Sequence, residues 1–301
     1  MVLFLAASIR SATPLAFAAL GELVAERAGV INVGLEGAII AGAFGAVVGA
    51  DRLGSVGAGF VVGVAAGLAL AAVFAFFVVT LRADQIITGT AISMLGLGAT
   101  GALNLVVFGR GGVALRAPTL GPMGIPGLRS MPVIGEALFN QPITTYLLYV
   151  LVPALAWWLY RSYGGLALRA VGERAEAVRA VGVSPGRVRW LAILFGGSMG
   201  GAAGATLVLA QAGTFVENMS AGRGYVAIAI VVLGRWSPLG TAAAALLFGG
   251  ASALQFLAQA MSWSVPYELS VALPYVLALV ALATLRGRGV APAMLGKPLD
   301  E

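Results

Sequence analysis

The chain has 301 residues, of which 60% are hydrophobic and 10% are charged. An ordinary soluble domain is about 25% charged, so the composition indicates a membrane protein. The absence of Cys and His excludes disulfides and thiolate chemistry, and makes zinc sites, haem ligation and metal catalysis poor candidates. The net charge of +6 lies in short loops and near the C-terminus, where it is typical of residues that orient a protein in the bilayer rather than of nucleic-acid binding.

Apolar runs of about 20 residues, long enough to cross a hydrocarbon core, recur along the chain. They predict helices at roughly 3–21, 29–50, 54–81, 85–108, 143–160, 190–211, 224–234, 239–261 and 270–285. The expected fold is an all-α, multi-pass membrane protein with about eight to ten transmembrane or partial helices in one domain, 1–301.

Two of the predicted segments are unusual. The first contains Arg10 and Pro14, and the segment 224–234 is too short to span a bilayer on its own. Both are therefore expected to be broken or partial helices. The first lacks a basic region at its start, so it is interpreted as a retained helix rather than a cleaved signal.

Two long loops assign the sides of the membrane. Residues 109–142 contain five Pro and seven Gly with three Arg, which predicts an ordered, irregular excursion. Residues 161–189 contain six Arg in a shorter span, so the positive-inside rule places this loop in the cytoplasm. Counting spans outward from it places 109–142 and the N-terminus outside, and the C-terminal tail with Lys297 inside.

The Arg-rich loop also contains a helix signal. Residues from Glu173 to Val181 favour a short helix outside the bilayer, with Gly182 as its stop and Ser184-Pro185 as the start of the next helix. The alternative is a solvated connector stabilised by surface charge pairs.

Polar residues inside an apolar run are candidates for function, since a charge at the bilayer centre costs about 2.5–3.5 kcal/mol on insertion scales. In the sequence "VINVGLEGAII", a span that starts near Val30 would place Asn32 and Glu36 on one helix face, four residues apart. Glu36 either contacts the solute or has a structural role, pairing with a basic residue or capping a broken helix, and the structural role is slightly favoured.

Other ionisable residues near span ends are interpreted as interfacial anchors, snorkelling or paired. They are Glu22, Glu26, Arg27, Asp84 and Arg235. Five aromatic residues could stack on a nucleobase or sugar, although core packing is favoured for each of them. They are Phe44, Phe108, Phe215, Tyr225 and Trp236. The Gly-rich run at 195–205 predicts close helix packing, and the chain has no phosphate-binding loop for ATP.

Four blocks in order resemble the permease subunits of bacterial ABC importers, in particular the nucleoside branch of the family that includes ribose and branched-chain amino-acid permeases. The blocks are "GELVAERAGVINVGLEGAIIAGAFGA" (21–46), "ADQIITGTAISMLGLGATG" (83–101), "GLALRAVGERAEAVRAVGVSPGRVRWLAILFGGSMGGAAGA" (165–205) and "GRGYVAIAIVVLGRWSPLGTAAAALLFG" (222–249). The resemblance covers nearly the whole chain.

The resemblance implies a type II-like importer in the bacterial cytoplasmic membrane. In such an importer, two permeases, often non-identical, form the pathway, and an extracytoplasmic lipoprotein delivers the solute. A separate ABC ATPase binds ATP and Mg, so this chain is expected to bind no cofactor itself and not to be an enzyme.

The resemblance also implies that a coupling helix in the cytoplasmic loop docks on the ATPase. Glu176, Ala177 and Val178, followed after three residues by Gly182, resemble the family's E-A-A-x3-G core, with Val178 in place of the third Ala. The Leu-Pro ending of the family pattern is missing. The candidate coupling residues are Arg169, Glu173, Arg174, Glu176, Arg179 and Gly182.

The solute path is expected where two interrupted segments, 27–37 and 222–234, meet near the midplane. Its candidate residues are Asn32, Glu36, Asp84, Gln85, Thr88, Asn218 and Tyr225. The expected solute is a nucleoside or a related purine compound. The alternatives are a ribose-like sugar, or a stand-alone ion-coupled carrier with Glu36 or Asp84 as its ion site.

Overall fold

A computed structural model describes residues 2–109, 119–128, 131, 134–261 and 291–297, with the isolated residues 272, 276, 280 and 283. In this part of the chain, six helices are long and apolar enough to cross a membrane, which confirms the all-α, multi-pass fold. Apart from its isolated positions, the segment predicted at 270–285 lies outside the described residues.

The helices follow the predicted segments closely. The first five are α1 (Val2–Arg27), α2 (Leu35–Leu53), α3 (Val56–Ala75), α4 (Gln85–Phe108) and α5 (Ile134–Phe139). They are followed by α6 (Ile143–Arg161), α7 (Tyr163–Glu173), α8 (Ala175–Ala180), α9 (Pro185–Thr206), α10 (Arg223–Leu233) and α11 (Pro238–Ala260). Two helices continue as π-helical turns, α3 through Phe76–Thr80 and α9 through Leu207–Ala212.

The described part of the long loop 109–142 is not wholly irregular. It contains the short helix α5 and a two-stranded antiparallel sheet of β1 (Met123–Gly124) and β2 (Asn140–Gln141). The side chain of Gln141 is fully buried against α1. Arg10 Nε donates to Gln141 Oε1 over 3.3 Å, and Gln141 Nε2 donates to Ala6 O over 3.4 Å. The loop is therefore anchored to the bundle.

The first helix is continuous, so the prediction of a break at Pro14 was wrong. Proline has no N–H for the carbonyl four residues earlier, which here belongs to Arg10. Gln211 Nε2 donates to that carbonyl oxygen over 2.7 Å. The lost helical bond is thus replaced from the end of α9, which lets α1 run unbroken from Val2 to Arg27.

The second helix begins later than predicted. It starts at Leu35, with Gly34 as its N-cap, whereas the hydropathy pattern predicted a start near Val30. The prediction that Asn32 and Glu36 share one helix face was therefore wrong, because Asn32 lies in the irregular segment 28–34 before α2.

Helices α1 and α9 form the centre of the bundle. From Ala12 to Glu26 every residue of α1 is buried, and α1 packs against both α9 and α11. The predicted close packing by the Gly-rich run is confirmed, since glycines of α9 lie against the backbone of neighbouring helices. A Cβ on Gly201 would come within 2.5 Å of Gly63 O on α3.

The Arg-rich loop and the C-terminal tail lie at the same end of the bundle. Met294 N donates to Gly172 O over 2.9 Å, and Gln85 Nε2 donates to Lys297 O over 2.8 Å. The sequence predicts that the loop and the tail are both cytoplasmic. The contact between them agrees with a position on the same side of the membrane. Which side of the membrane this end faces stays a prediction.

The glycine packing can be tested with a matched pair of substitutions. Gly201→Ala places a methyl group against the backbone of α3, and we expect overpacking to cost about 1–3 kcal/mol. Gly98→Ala on α4 is the control, because nothing lies within 4 Å of its Cβ position. Thermal unfolding in detergent should show a lower midpoint for Gly201→Ala and an equal or higher midpoint for Gly98→Ala. Equal midpoints for Gly201→Ala and the wild type would contradict this packing.

Candidate transport site

The segment 28–34 breaks the helical hydrogen bonding inside the bundle, where backbone polar groups need partners from the protein. Three side chains of α1 and α4 supply them. The bonds join Ile31 N to Gln85 Oε1 (3.0 Å), Asn32 N to Glu22 Oε1 (2.9 Å) and Ser93 Oγ to Val33 O (2.9 Å). The irregular segment is thus held in one conformation by residues distant in sequence.

Glu36 connects the starts of two helices. It lies in the first turn of α2, is 3% exposed, and accepts hydrogen bonds from Gly222 N (2.8 Å) and Gly224 N (2.6 Å) at the start of α10. Its carboxylate therefore caps α10 from a neighbouring helix, and its negative charge lies close to the positive ends of both helix dipoles.

The two helix starts are in close contact. A Cβ on Gly224 would lie 2.5 Å from Glu36 N and 2.9 Å from Glu36 Oε2, so only glycine fits here without movement of the backbone. Helix α10 has 11 residues and follows turns at 213–222, which agrees with the predicted partial helix. The two interrupted segments singled out in the sequence are therefore neighbours in space.

Three further candidates lie along the start of α4. Asp84 is exposed and caps its own helix, accepting from Ile86 N (2.9 Å) and Ile87 N (2.8 Å). Gln85 is buried and joins the irregular segment to the tail at Lys297. Thr88 is half-buried. Of these three, Asp84 and Thr88 have side chains that a solute or a partner can reach.

The candidates near α10 are accessible. Asn218 is exposed and has a φ of 60°, a left-handed conformation that Asn tolerates better than most residues. Tyr225 is 48% exposed on the first turn of α10, next to the cap made by Glu36. The seven candidates thus form two groups. Asn32, Glu36 and Gln85 are buried, and the other four are partly or fully exposed.

The aromatic candidates also divide into buried and exposed residues. Phe44 packs edge to face on Phe215 at 5.3 Å and on Phe108 at 6.5 Å between ring centroids, within an apolar cluster. Trp236 is buried as well. Core packing, the role favoured from the sequence, is confirmed for these four. Tyr225 is the one member of the set with a largely exposed ring.

Glu22 and Glu26 are buried inside the bundle, so the prediction that they are snorkelling or paired anchors at the surface was wrong. They are 0% and 1% exposed, in the buried part of α1. Glu26 Oε2 accepts from Trp236 Nε1 over 2.5 Å. Glu22 Oε2 and Glu26 Oε1 lack a hydrogen-bond partner among the described residues. A signal for this burial was present, because both residues continue the helix stripe that begins with the apolar Leu15.

Glu26 and Arg27 form a clamp between α1 and the turn that joins α10 to α11. Arg27 Nε donates to Trp236 O over 2.7 Å, next to the bond from Trp236 to Glu26. Arg235 and Trp236 have φ values of 56° and 51°, which are strained for residues other than glycine. The clamp on α1 holds this strained turn in place.

The candidate coupling residues form a charged surface. Helices α7 and α8 turn Val171, Ala175 and Val178 towards the bundle. The charged members and Gly182 are exposed, except for Arg169, which is half-buried over the ring of Tyr160 at 5.3 Å. Val178, which departs from the family pattern, is buried, so this departure leaves the exposed surface unchanged.

The short helix predicted from Glu173 to Val181 is present as α8, Ala175–Ala180. It is separated from α7 at Arg174, where the backbone is extended. The signals around it are confirmed. Gly182 has a φ of 83° and follows the end of α8, and Ser184 Oγ caps α9 by accepting from Arg187 N over 3.4 Å. Among the described residues, no group of three or more His, Cys, Asp or Glu could hold a metal ion.

Residues 4–282 match the sequence family described as the permease component of the branched-chain amino acid transport system. The chain belongs to this permease family. The match includes both interrupted segments and the charged surface of α7 and α8. The protein is therefore a transport subunit, in agreement with the resemblance found in the sequence. No solved structure matches the chain.

Three relatives show how far the similarity extends. The permease is 41% identical to a putative glucose ABC transporter permease of Haloferax volcanii, over 85% of this chain and 78% of the relative. It is 32% identical to the guanosine ABC transporter permease of Bacillus subtilis, over 97% and 94% of the two chains. It is also 32% identical to a nucleoside ABC transporter permease of Lactococcus lactis, over 93% and 91%.

Substitution of Glu36 tests its capping role. In Glu36→Gln, the amide keeps one acceptor oxygen and turns its NH₂ towards the second N–H donor of α10, so we expect a loss of about 1–3 kcal/mol in stability. Thermal unfolding of the purified permease measures this loss, and uptake should fall with the folded fraction. Glu217→Gln, at an exposed position, is the control. Unchanged stability with abolished uptake would instead indicate direct contact with the solute.

The clamp can be tested with a double-mutant cycle. Trp236→Phe removes the donor to Glu26 and leaves a buried carboxylate unpaired, which should cost about 1–3 kcal/mol or more. Adding Glu26→Gln removes the charge and should recover part of the loss, so the two effects should not add. Unfolding midpoints of the four proteins measure the coupling. Trp190→Phe, which loses a more accessible bond to Thr80, is the control. Additive effects would show that the bond between Trp236 and Glu26 does not stabilise the fold.

Proposed function

We propose that this permease is a subunit of an ATP-driven importer of nucleosides or related purine compounds. The observation that carries the proposal is the extent of the similarity. Two relatives named for guanosine and nucleoside transport align with 97% and 93% of this chain, including the segments around α2 and α10. A sugar such as glucose is the second candidate, because the relative named for glucose has the higher identity, 41%.

The proposed solute path runs along the accessible residues near the two helix starts. Tyr225 offers an aromatic face for stacking on a base, and the side chains of Asn218, Thr88 and Asp84 offer hydrogen-bonding groups. The backbone that forms the path is supported by three buried residues, Glu36, Asn32 and Gln85. They make hydrogen bonds that fix the two interrupted segments.

The proposed energy source is a separate ABC ATPase that binds ATP and Mg. Its docking surface on this chain is formed by α7 and α8, with Glu173, Arg174, Glu176 and Arg179 in contact and Arg169 at the edge. A second permease, related but not identical, completes the pathway, and an extracytoplasmic lipoprotein selects the solute. In this arrangement 161–189 is the cytoplasmic coupling loop, and 109–142 faces the outside of the cytoplasmic membrane.

Uptake by proteoliposomes tests both the class of transporter and its solute. The permease is reconstituted with an ABC ATPase, a lipoprotein and a second permease from the same organism, and uptake of labelled guanosine and of labelled glucose is compared. We expect guanosine uptake that needs internal ATP. Uptake of glucose alone would favour the sugar importer. Uptake by this chain alone, abolished by an ionophore, would identify an ion-coupled carrier and would overturn the proposal.

Charge reversal tests the docking surface. Glu176→Arg changes an exposed residue of α8, so it should leave the unfolding midpoint unchanged. A misplaced charge at an interface costs several kcal/mol, so co-purification of the ATPase should fall by roughly tenfold or more. Asp51→Arg is the control, because Asp51 is exposed near the C-terminal end of α2 and belongs to neither α7 nor α8. Equal ATPase recovery with both variants would exclude α8 from the interface.

A further inference from the structure

An arginine-lined cavity of about 500 Å³ lies between the end of α3 and the start of α9. Arg82, Arg179 and Arg189 line it, and no Asp or Glu is found among the described residues of its wall. Arg189 is 2% exposed, and its Nε donates to Ala28 O over 3.4 Å, which fixes the direction of the side chain. The positive end of the long helix α9 adds to the potential. The cavity therefore fits a group with negative charge.

An apolar groove of about 600 Å³ lies beside this cavity, between α6, α7 and α9. Its wall includes Leu155, Trp158, Leu168 and Phe195, and it has almost no polar surface. Leu191, on the same wall, is 68% exposed, although it belongs to a helix long enough to span the membrane. The groove therefore lies beside an exposed apolar face of a helix long enough to span the membrane, and its chemistry fits a hydrocarbon chain.

The two cavities share one wall residue, Val183. A charged chamber and a hydrocarbon-lined groove that share one residue match the two parts of a phospholipid. We propose that they form one binding site for an anionic phospholipid, with its phosphate at Arg82, Arg179 and Arg189 and an acyl chain beside Trp158. Basic pockets between transmembrane helices bind anionic head groups by the same electrostatic attraction.

Two observations favour a lipid over an acidic side chain of a protein partner or a soluble anion. A soluble anion would use the arginine-lined cavity alone and would leave the apolar groove without a role. An acidic protein segment would likewise leave the groove unused, although two of its walls, α6 and α9, are helices long enough to span the membrane. Gly182 also lines the arginine-lined cavity, so a bound lipid would contact the turn that follows α8.

Fluorescence quenching tests the site, because Trp158 lies on the groove wall. The purified permease is placed in phosphatidylcholine nanodiscs that contain a minor share of phosphatidylglycerol with brominated acyl chains. The emission of Trp158 is isolated by subtraction of the Trp158→Phe variant. We expect brominated phosphatidylglycerol to quench this emission with roughly tenfold preference over brominated phosphatidylcholine.

The double variant Arg82→Ala/Arg179→Ala should abolish the preference while quenching by bulk phosphatidylcholine is retained, which shows that the variant is folded. Arg187→Ala removes a charge from the same helix turn outside the cavity and should keep the preference. Ala154→Phe should fill the groove and reduce quenching of Trp158.

Three results would overturn the proposal. The first is equal quenching by the two lipids. The second is displacement by soluble glycerol phosphate with no effect of Ala154→Phe, which would indicate an anionic solute. The third is an unchanged lipid preference in the double arginine variant. Loss of ATPase binding in the same variant would then assign the cavity to an acidic group of that partner. Since the quenching needs no ATPase or solute, its outcome is independent of the proposed function.

Discussion

Backbone N–H and C=O groups that leave a helix inside a membrane protein cannot be hydrated by the surrounding hydrocarbon, and the protein itself has to supply their partners. The chain leaves helical structure at 28–34, inside the bundle, and at 213–222, a segment that is mostly exposed or half-buried and ends against Glu36. Glu22 and Gln85 satisfy the first interruption, and Glu36 satisfies the end of the second. This requirement explains the burial of Glu22, Glu36 and Gln85, three polar side chains in an apolar bundle.

Much of the fold follows from local sequence signals. Hydropathy predicts the spans because each transmembrane helix must present apolar side chains across the full thickness of the hydrocarbon core. This requirement acts on each segment separately and does not depend on its neighbours. Caps are local too, and so Gly182 and Ser184 mark the end of α8 and the start of α9 correctly. The close packing of the α9 glycines can also be predicted from the sequence, since small residues at helical spacing indicate close packing.

The candidate site could be predicted only in part, because its decisive contacts join residues far apart in sequence. The delayed start of α2 depends on partners in α1 and α4, and the continuity of α1 through Pro14 depends on Gln211, about two hundred residues later. Glu36 was recognised as unusual, whereas its donors at Gly222 and Gly224 carry no side-chain signal. Glu22 and Glu26 were misplaced because charge near a span end usually indicates an interface.

The cap that Glu36 makes has a consequence for conformational change. Any transport cycle must alter the shape of the path, and movement of α10 away from α2 would expose one carboxylate and two N–H groups to an apolar interior. Separation of the two helices is therefore costly, and α2 and α10 should move as one rigid body. The hinge for such a motion would lie outside this pair, in the turns at 213–222 or in the strained turn at Arg235 and Trp236.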